Sequence, residues 1–267
     1  MGRLGTAVER SAGLNPGRYA ELAGGPAGWR MFHCAETEST NADARGGRHG
    51  DVYAADYQTA GRGRLDHRWL APRGANVAMS AVLSVEGLPP DRAATLPLVA
   101  GLATARGIRS LFHSAAEDAT LAIKWPNDVL VGGRKVAGIL CERCGDCVVA
   151  GIGINVERRD FPPELQGRAA ALASLPGFRG GVDDVRDAVL TELRALYGRW
   201  LEDGFAALWP EISAIDVLRG KWVSVRQTDD DAKPTRGVSG GILPDGSLDV
   251  DGTAVHAGEA HVEEIGE

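Results

Sequence analysis

Apolar and polar positions follow two different periods along the chain, and each period predicts a different kind of element. Residues 51–57 and 76–85 are short, mostly apolar runs that contain β-branched or aromatic residues, which predicts β-strands. Residues 95–112 carry apolar side chains at three-to-four spacing, which predicts an α-helix. Thr95 stands where an N-cap is expected, and Pro97 lies in the first turn, where proline is tolerated.

A second helix is predicted over residues 184–202, because apolar side chains recur there at the spacing of a buried stripe. The stripe consists of Val189, Leu193, Leu196, Tyr197 and Trp200. Stripes of large apolar residues belong to the core much more often than to a functional site. Neither helix is therefore expected to carry chemistry.

Residues 135–142 and 147–155 predict the two strands of a hairpin, with residues 143–146 as its turn. Residues 121–124 predict a further short strand that ends at Lys124. After residue 210 the helical spacing gives way to short strand-like runs, which favours a small β-barrel. Its strands are predicted at 221–225, 237–243 and 247–250, with a turn at 244–246.

Three of the four cysteines, Cys141, Cys144 and Cys147, form a C-x2-C-x2-C run, and Cys34 could be imagined as a fourth zinc ligand. Zinc sites usually combine two pairs of closely spaced ligands from separate loops, and the sequence offers no second pair. We therefore interpret this run as part of the hairpin rather than as a zinc site. A disulfide is also disfavoured in a reducing compartment.

These patterns divide the chain into three parts. Residues 1–28 are rich in glycine, alanine and arginine and show no clear period, which predicts a poorly ordered lead-in. Residues 29–212 mix strands and helices, and residues 215–267 contain only short strands. The fold class predicted from this order is α+β, with a mixed sheet and packed helices, followed by a small β-barrel.

Composition narrows the classes of function. The 267 residues are 44% hydrophobic and 24% charged, which is ordinary for a globular enzyme, and the net charge of −7 disfavours a general nucleic-acid binder. No apolar run approaches the ~20 residues of a membrane span. Neither a membrane partner nor a secretory signal is expected, and the cytoplasm is the expected location.

Two basic motifs carry the chemistry. Gly61-Arg62-Gly63-Arg64 is followed by Trp69, and about sixty residues later the chain reads Lys124-Trp125-Pro126-Asn127-Asp128. Each motif sets cations beside small or kinked backbone, as a site for a closely approaching anion requires. Together, in this order, they resemble the motifs of the biotin protein ligases (biotin–[acetyl-CoA-carboxylase] ligases).

The resemblance implies a class II synthetase-like catalytic domain over residues 29–212 and an SH3-like domain over residues 215–267. The segment before residue 29 is too short and too glycine-rich for the winged-helix DNA-binding domain that some of these ligases carry. The implied reaction consumes ATP with Mg2+, forms biotinyl-5′-adenylate, and transfers biotin to a lysine of a biotin carboxyl carrier domain of an acyl-CoA carboxylase.

The resemblance also assigns roles to residues of this chain. It implies catalytic roles for Lys124 and Arg64, whose positive charges would offset the repulsion between the two anions that react. Contacts to biotin are implied for Ser39, Thr40, Asn41, Gln58, Gly61, Arg62, Gly63, Arg64, Lys124 and Gly138. Contacts to ATP are implied for Arg64, Arg68, Trp69, Lys124, Asn127, Asp128 and Asn155. No set of metal ligands follows from the sequence.

The chain departs from the family pattern after the first motif. The position that usually holds an arginine is occupied by His67, and an arginine, Arg68, follows one residue later. A histidine carries its full charge only in mildly acidic solution, so Arg68 is the better candidate to reach a phosphate. The segment from Asn41 to Gln58 is also shorter than usual, which predicts a helix of about one turn.

Two alternatives remain open at this point. The first is a lipoate-type acyl-protein ligase, which shares the catalytic fold and a lysine. The second is a protein that binds biotin or its adenylate without turnover. A ligand-binding screen distinguishes the first alternative, and binding without pyrophosphate release would indicate the second.

Overall fold

The computed structural model describes residues 18–65, 67–69, 71–113, 120–226 and 233–263. The strands are β1 (Ala20–Leu22), β2 (Arg30–Cys34), β3 (Asp51–Ala55), β4 (Asn76–Ser84), β5 (Leu121–Lys124), β6 (Asp128–Val131), β7 (Arg134–Cys144), β8 (Cys147–Asn155), β9 (Trp222–Arg226), β10 (Thr235–Ile242), β11 (Leu248–Val250), β12 (Thr253–Val255) and β13 (Glu259–Val262). The α-helices are α1 (Thr40–Ala44), α2 (Pro90–Ala94), α3 (Leu96–Ser110), α4 (Val182–Asp203) and α5 (Trp209–Ala214).

The larger sheet has eight strands in the order β1-β2-β3-β4-β8-β7-β6-β5. It is mixed, because β2 and β3 run parallel while the other neighbours are antiparallel. Helices α3 and α4 cover one face of this sheet, and their apolar stripes supply much of the core. The predicted α+β class with a mixed sheet is therefore confirmed.

Both predicted long helices are present, with small differences at their ends. Helix α3 follows Thr95, but the Thr95 hydroxyl does not cap it. That hydroxyl instead donates to the Arg92 carbonyl and accepts a 2.9 Å hydrogen bond from the Trp200 indole. Helices α3 and α4 pack closely at Gly107. A Cβ at this position would lie 2.7 Å from the Val189 backbone, so the close packing requires a glycine there.

The smaller sheet is antiparallel, in the order β12-β11-β10-β9-β13, and agrees with the predicted C-terminal SH3-like domain. Two indoles outside the smaller sheet bind it: Trp125, which follows β5, donates to the Gly246 carbonyl at 3.0 Å, and Trp209 of α5 donates to the Ile242 carbonyl at 2.7 Å. One apolar cluster includes buried residues of both sheets. The C-terminal strands are thereby held directly against the Lys124-Trp125 motif.

Residues 18–28 differ from the predicted lead-in. Ala20–Leu22 forms the edge strand β1, which pairs with β2, and the Tyr19 hydroxyl donates a 2.6 Å hydrogen bond to Asp43 of α1. The glycine-rich composition gave no sign of this strand. The rest of the predicted lead-in, residues 1–17, lies outside the described residues.

Within the described ranges, no helix combines the length and apolarity that crossing a membrane requires. The β7–β8 hairpin is present as predicted, and all four cysteines are free. The described residues contain no group of three or more His, Cys, Asp or Glu side chains placed to hold a metal ion.

Candidate active site

A cleft opens where the start of α1, the 61–69 loop, strands β5 to β8 and the start of β13 meet. Most residues predicted for the site line it: Ser39, Thr40, Asn41, Gln58, Arg62, Gly63, Arg64, Arg68, Trp69, Lys124, Asn127, Asp128 and Gly138. Two predicted residues, Gly61 and Asn155, are not among its lining residues. The fold thus brings together side chains from both ends of the chain.

The 61–69 loop is folded back on itself. The Gly63 amide donates to the His67 carbonyl at 2.6 Å, and the Trp69 amide donates to the Gly61 carbonyl at 2.9 Å. A Cβ at Gly61 would lie 2.6 Å from the Trp69 carbonyl oxygen. The close approach of the two arms of the loop therefore accounts for a glycine at position 61, and a contact of Gly61 with biotin stays a prediction.

The indole of Trp69 lies against two glycines of the sheet. A Cβ at Gly153 would come within 2.5 Å of the indole, and one at Gly138 within 3.3 Å. The Trp69 Nε1 atom is buried and has no hydrogen-bond partner among the described residues. A buried donor of this kind favours a bound acceptor, so Trp69 forms a wall of the cleft with one unused polar atom.

A buried polar cluster holds the start of α1. Gln58 Oε1 accepts hydrogen bonds from the Thr40 amide at 2.8 Å and from the Thr40 hydroxyl at 3.1 Å. The Ser80 hydroxyl lies 2.6 Å from Asn41 Oδ1 and 2.7 Å from the Thr40 hydroxyl. The Ser39 hydroxyl has no such partner among the residues that the structure describes. These contacts leave the Ser39 hydroxyl and the Gln58 amide nitrogen available to a ligand.

The Asn41 amide nitrogen is occupied by the protein itself. It donates to the Leu140 carbonyl at 3.2 Å and to Glu142 at 2.8 Å, and Arg45 donates to the other oxygen of that carboxylate at 2.9 Å. Burial opposes ionisation of Glu142, but the hydrogen bonds from Asn41 and Arg45 hold its pKa below the usual value. With both amide protons used, Asn41 orients the cluster more than it donates to a ligand.

Lys124 ends β5 as predicted, and the residues after it are fixed from three sides. The Trp125–Pro126 peptide bond is cis, and the Trp125 indole is bonded to the C-terminal sheet as described above. The Asn127 side chain donates to the Ile139 carbonyl at 2.8 Å, and the Ile139 amide donates to the Asn127 carbonyl at 2.9 Å. Asp128 forms a 2.7 Å ion pair with Lys135.

Two cations in the cleft are partly desolvated and have no ion-pair partner among the described residues. Burial lowers the pKa of Lys124 and also lowers that of Arg64. The charges of Asp128 and Glu259 partly oppose both shifts, but neither carboxylate lies at ion-pair distance from either cation. A buried cation without a partner is costly, and a bound anion would relieve that cost.

The comparisons with known proteins agree with this geometry. The sequence profile of the biotin/lipoate A/B protein ligase family matches residues 39–157. The biotin–[acetyl-CoA-carboxylase] ligase of Mycobacterium tuberculosis is 37% identical over 187 residues, which cover 67% of this chain and 69% of that protein. The chain belongs to the biotin protein ligase family.

A solved structure supports the assignment. The biotin protein ligase of Aquifex aeolicus, in complex with biotin and ATP, superposes with a TM-score of 0.74 at 26% identity, over 87% of this chain and 98% of that one. The bifunctional ligase/repressor of Bacillus subtilis is 34% identical over 166 residues, and the match covers only 49% of its length.

Several residues of this ligase were missed by the sequence analysis. Glu259, from β13, lines the cleft although it lies more than a hundred residues beyond the recognised motifs. Lys135 pairs with Asp128, and Glu142 with Asn41. Lys135 stands in the predicted strand 135–142, which also carries the predicted site residue Gly138, whereas nothing in the sequence marked Glu259.

Asn155 was predicted to lie near the nucleotide. The structure places it in a buried pair, in which the Asn76 amide nitrogen donates to Asn155 Oδ1 at 2.8 Å. Each residue is the register partner of the other across β4 and β8. In this structure the Asn155 side chain joins two strands of the core sheet and does not line the cleft.

Proposed function

We propose that this protein is an ATP-dependent biotin protein ligase. It forms biotinyl-5′-adenylate and transfers the biotinyl group to a lysine of a biotin carboxyl carrier domain. The observation that carries the proposal is a pair of partly buried cations, Lys124 and Arg64, which have no ion-pair partner in the part of the chain that the structure describes and lie beside a buried polar cluster. The family membership supports biotin over an unrelated carboxylate.

The first step joins two anions. A carboxylate oxygen of biotin attacks the α-phosphorus of ATP, an acyl–phosphate bond forms, and pyrophosphate leaves. Like charges ~4 Å apart repel by about 4 kcal/mol at an effective dielectric of 20, so fixed positive charge is needed. Lys124 and Arg64 supply it, and both are already partly shielded from water by the protein.

The polar cluster at the start of α1 binds the ureido ring of biotin. The Ser39 hydroxyl and the Gln58 amide nitrogen are the groups there without a partner among the described residues. A site built to hydrogen-bond its ligand discriminates strongly, because an analogue without the matching groups leaves buried polar atoms unpaired. Lipoate has no ureido ring to satisfy these groups, which is the reason to place it second.

Mg2+ is expected to accompany ATP. Two carboxylates, Asp128 and Glu259, line the cleft. This donor set fits Mg2+, which proteins usually hold through one or two carboxylates together with substrate phosphates. When bound, the ion would neutralise charge on the leaving pyrophosphate. Asp128 is ion-paired to Lys135 in this structure, so binding the ion would weaken that pair.

In the second step, the uncharged amine of an acceptor lysine attacks the acyl carbon of the adenylate, an amide bond forms, and AMP leaves. The acceptor is a lysine on a carrier domain, as the name of the mycobacterial relative suggests. Residues of the 61–69 loop form one rim of the cleft, and two of them, Arg62 and Arg68, are exposed there.

Biotin-dependent ATP–pyrophosphate exchange by the purified protein tests the proposal. Exchange is expected with biotin, ATP and Mg2+, and its loss when any one of them is omitted. Equal exchange with lipoate would move the assignment to the lipoate-type ligase. Stoichiometric biotin binding without exchange would show that the protein binds but does not catalyse.

A further inference from the structure

The end of the β7–β8 hairpin carries two thiols that the proposed reaction does not use. Cys144 and Cys147 are directly opposed register partners, and Gly145 and Asp146 form the two-residue turn between them. Directly opposed residues of an antiparallel pair have Cα atoms about 4.5 or 5.5 Å apart. A disulfide needs about 4.4–6.8 Å, so the backbone already has the required spacing.

The two side chains also share a side of the sheet, because opposed residues in antiparallel strands point to the same face. Both thiols are half-buried and pack against one apolar cluster, which includes Phe32, Tyr53 and Val149. The cluster restricts where the sulfur atoms can lie. Two restrained thiols on one face meet each other far more often than two thiols on flexible loops would.

The hairpin turn leaves the pair open to a reagent. Gly145 has φ of +60° and nothing within 4 Å of the position that its Cβ would take. Gly145 and Asp146 are both exposed. A small disulfide can therefore approach the sulfur atoms along the turn without disturbing the core.

We propose that Cys144 and Cys147 form a reversible intramolecular disulfide by exchange with a low-molecular-weight disulfide. One thiol loses its proton and attacks a sulfur of that reagent, which makes a mixed disulfide and releases one thiol. The second cysteine then attacks the protein sulfur of the mixed disulfide and releases the other thiol. Two protein thiols are oxidised, and one external disulfide is reduced to two thiols.

The other two cysteines are not expected to join this exchange. Cys34, the last residue of β2, is buried. Burial raises the pKa of Cys141 to about 12, so it remains a thiol. Burial also raises the pKa of Cys147, which slows its attack; the equilibrium, rather than the rate, is therefore the quantity to measure.

The test equilibrates the full chain in buffers of varied reduced and oxidised glutathione, followed by an acid quench and alkylation. The quenched chain is unfolded in urea and its free thiols are blocked with N-ethylmaleimide at near-neutral pH, so that buried thiols also react. Disulfides are then reduced and labelled with iodoacetamide, and peptides are identified by mass spectrometry. We expect Cys144 and Cys147 to become protected together, with an intact mass lower by two hydrogens. Cys34 and Cys141 should carry the label of the first, blocking step, because they remain free thiols.

Two variants make the result specific. Cys144→Ser should leave Cys147 able to form only a mixed disulfide with glutathione. Arg143→Cys combined with Cys144→Ser moves the thiol by one residue, to the opposite face, and should not close a disulfide with Cys147. Denaturant midpoints of both variants verify that they fold.

Three outcomes would overturn the proposal. The first is a pair that stays reduced in oxidised glutathione, and the second is separate mixed disulfides at Cys144 and Cys147. The third is equally ready closure in the variant with the displaced thiol. The test reads thiol chemistry alone, so failure of the proposed ligase function would leave its result unchanged.

Discussion

Replacing Lys124 by methionine is expected to slow adenylate formation far more than it disturbs the fold. Methionine keeps an unbranched apolar stem and removes only the cation. The ammonium is partly buried and has no ion-pair partner among the residues that the structure describes, so its charge is available to the substrates. The attacking carboxylate and the α-phosphate should meet this charge most strongly in the transition state.

The magnitude follows from the position of the side chain. A unit charge ~4 Å from another contributes about 4 kcal/mol at an effective dielectric of 20. The partial exposure of Lys124 lets solvent screen part of this, which sets a lower bound of about 2 kcal/mol. At 1.36 kcal/mol per factor of ten, adenylation should slow by about 30-fold to 1000-fold.

Single-turnover measurements separate the two chemical steps, with biotin and ATP in one experiment and preformed biotinyl adenylate in the other. Lys135→Met is the matched control, because this lysine lines the same cleft but is already paired with Asp128. We expect Lys135→Met to cost less in adenylation. Near-normal adenylation by Lys124→Met with failed transfer to the acceptor lysine would refute the reasoning, as would equal losses in the two variants.

Lys124→Met should also stabilise the ligand-free protein. Burial lowers the pKa of Lys124, so the unfolded chain binds its proton more tightly than the folded one. The charged lysine therefore destabilises the fold at neutral pH, and this penalty disappears as pH rises from the folded pKa towards the ordinary value. Urea midpoints should be higher for Lys124→Met at pH 7, and the difference should shrink in alkaline buffer.

Two further predictions concern the 61–69 loop and its contact with the sheet. If Arg68 replaces the missing loop arginine, Arg68→Ala should weaken the binding of biotinyl adenylate by about 1.5–3 kcal/mol in an equilibrium binding measurement. His67→Ala should change this affinity little above pH 7. The reverse ranking of the two variants would assign the role to His67. Gly153→Ala should displace the Trp69 indole, 2.5 Å from the new Cβ, and destabilise the protein by about 1–3 kcal/mol in urea unfolding. Gly198→Ala is the control, because Gly198 lies in α4 with open space around it, and this change should leave the stability unchanged or raise it. Similar losses of stability in both glycine variants would contradict the packing argument.

Much of the fold was predictable because its signals are local. The apolar spacing of α3 and α4 and the end of β5 at Lys124 are properties of a few consecutive residues. Five strands of three to five residues each were not predicted, because so few residues scarcely display a period of two: β1, β2, β6, β12 and β13. Strand β11 is equally short, and it was predicted next to the turn at 244–246. What decides such short strands is the neighbour that they pair with, which the sequence does not name.

The site was predictable in its residues more than in their reasons. Asn155 was assigned through the family resemblance, but its partner Asn76 lies on another strand, so the position of its side chain could not be predicted. Gly61 was predicted to contact biotin, and the structure adds a reason for a glycine that the sequence did not show, which is the close contact within the loop. Glu142 and Glu259 escaped notice because a single acidic residue has meaning only through what the fold puts beside it.

The cleft draws on Ser39 and on Glu259, which are separated by most of the chain. During synthesis, the motif residues leave the ribosome well before Gly258 and Ala260 do. The nascent protein can therefore fold its large sheet while one wall of the cleft is still missing and Trp125 lacks its Gly246 acceptor. A chain at that stage would expose the two unpaired cations to water, and its capacity to hold an adenylate should appear only once the final strand has been added.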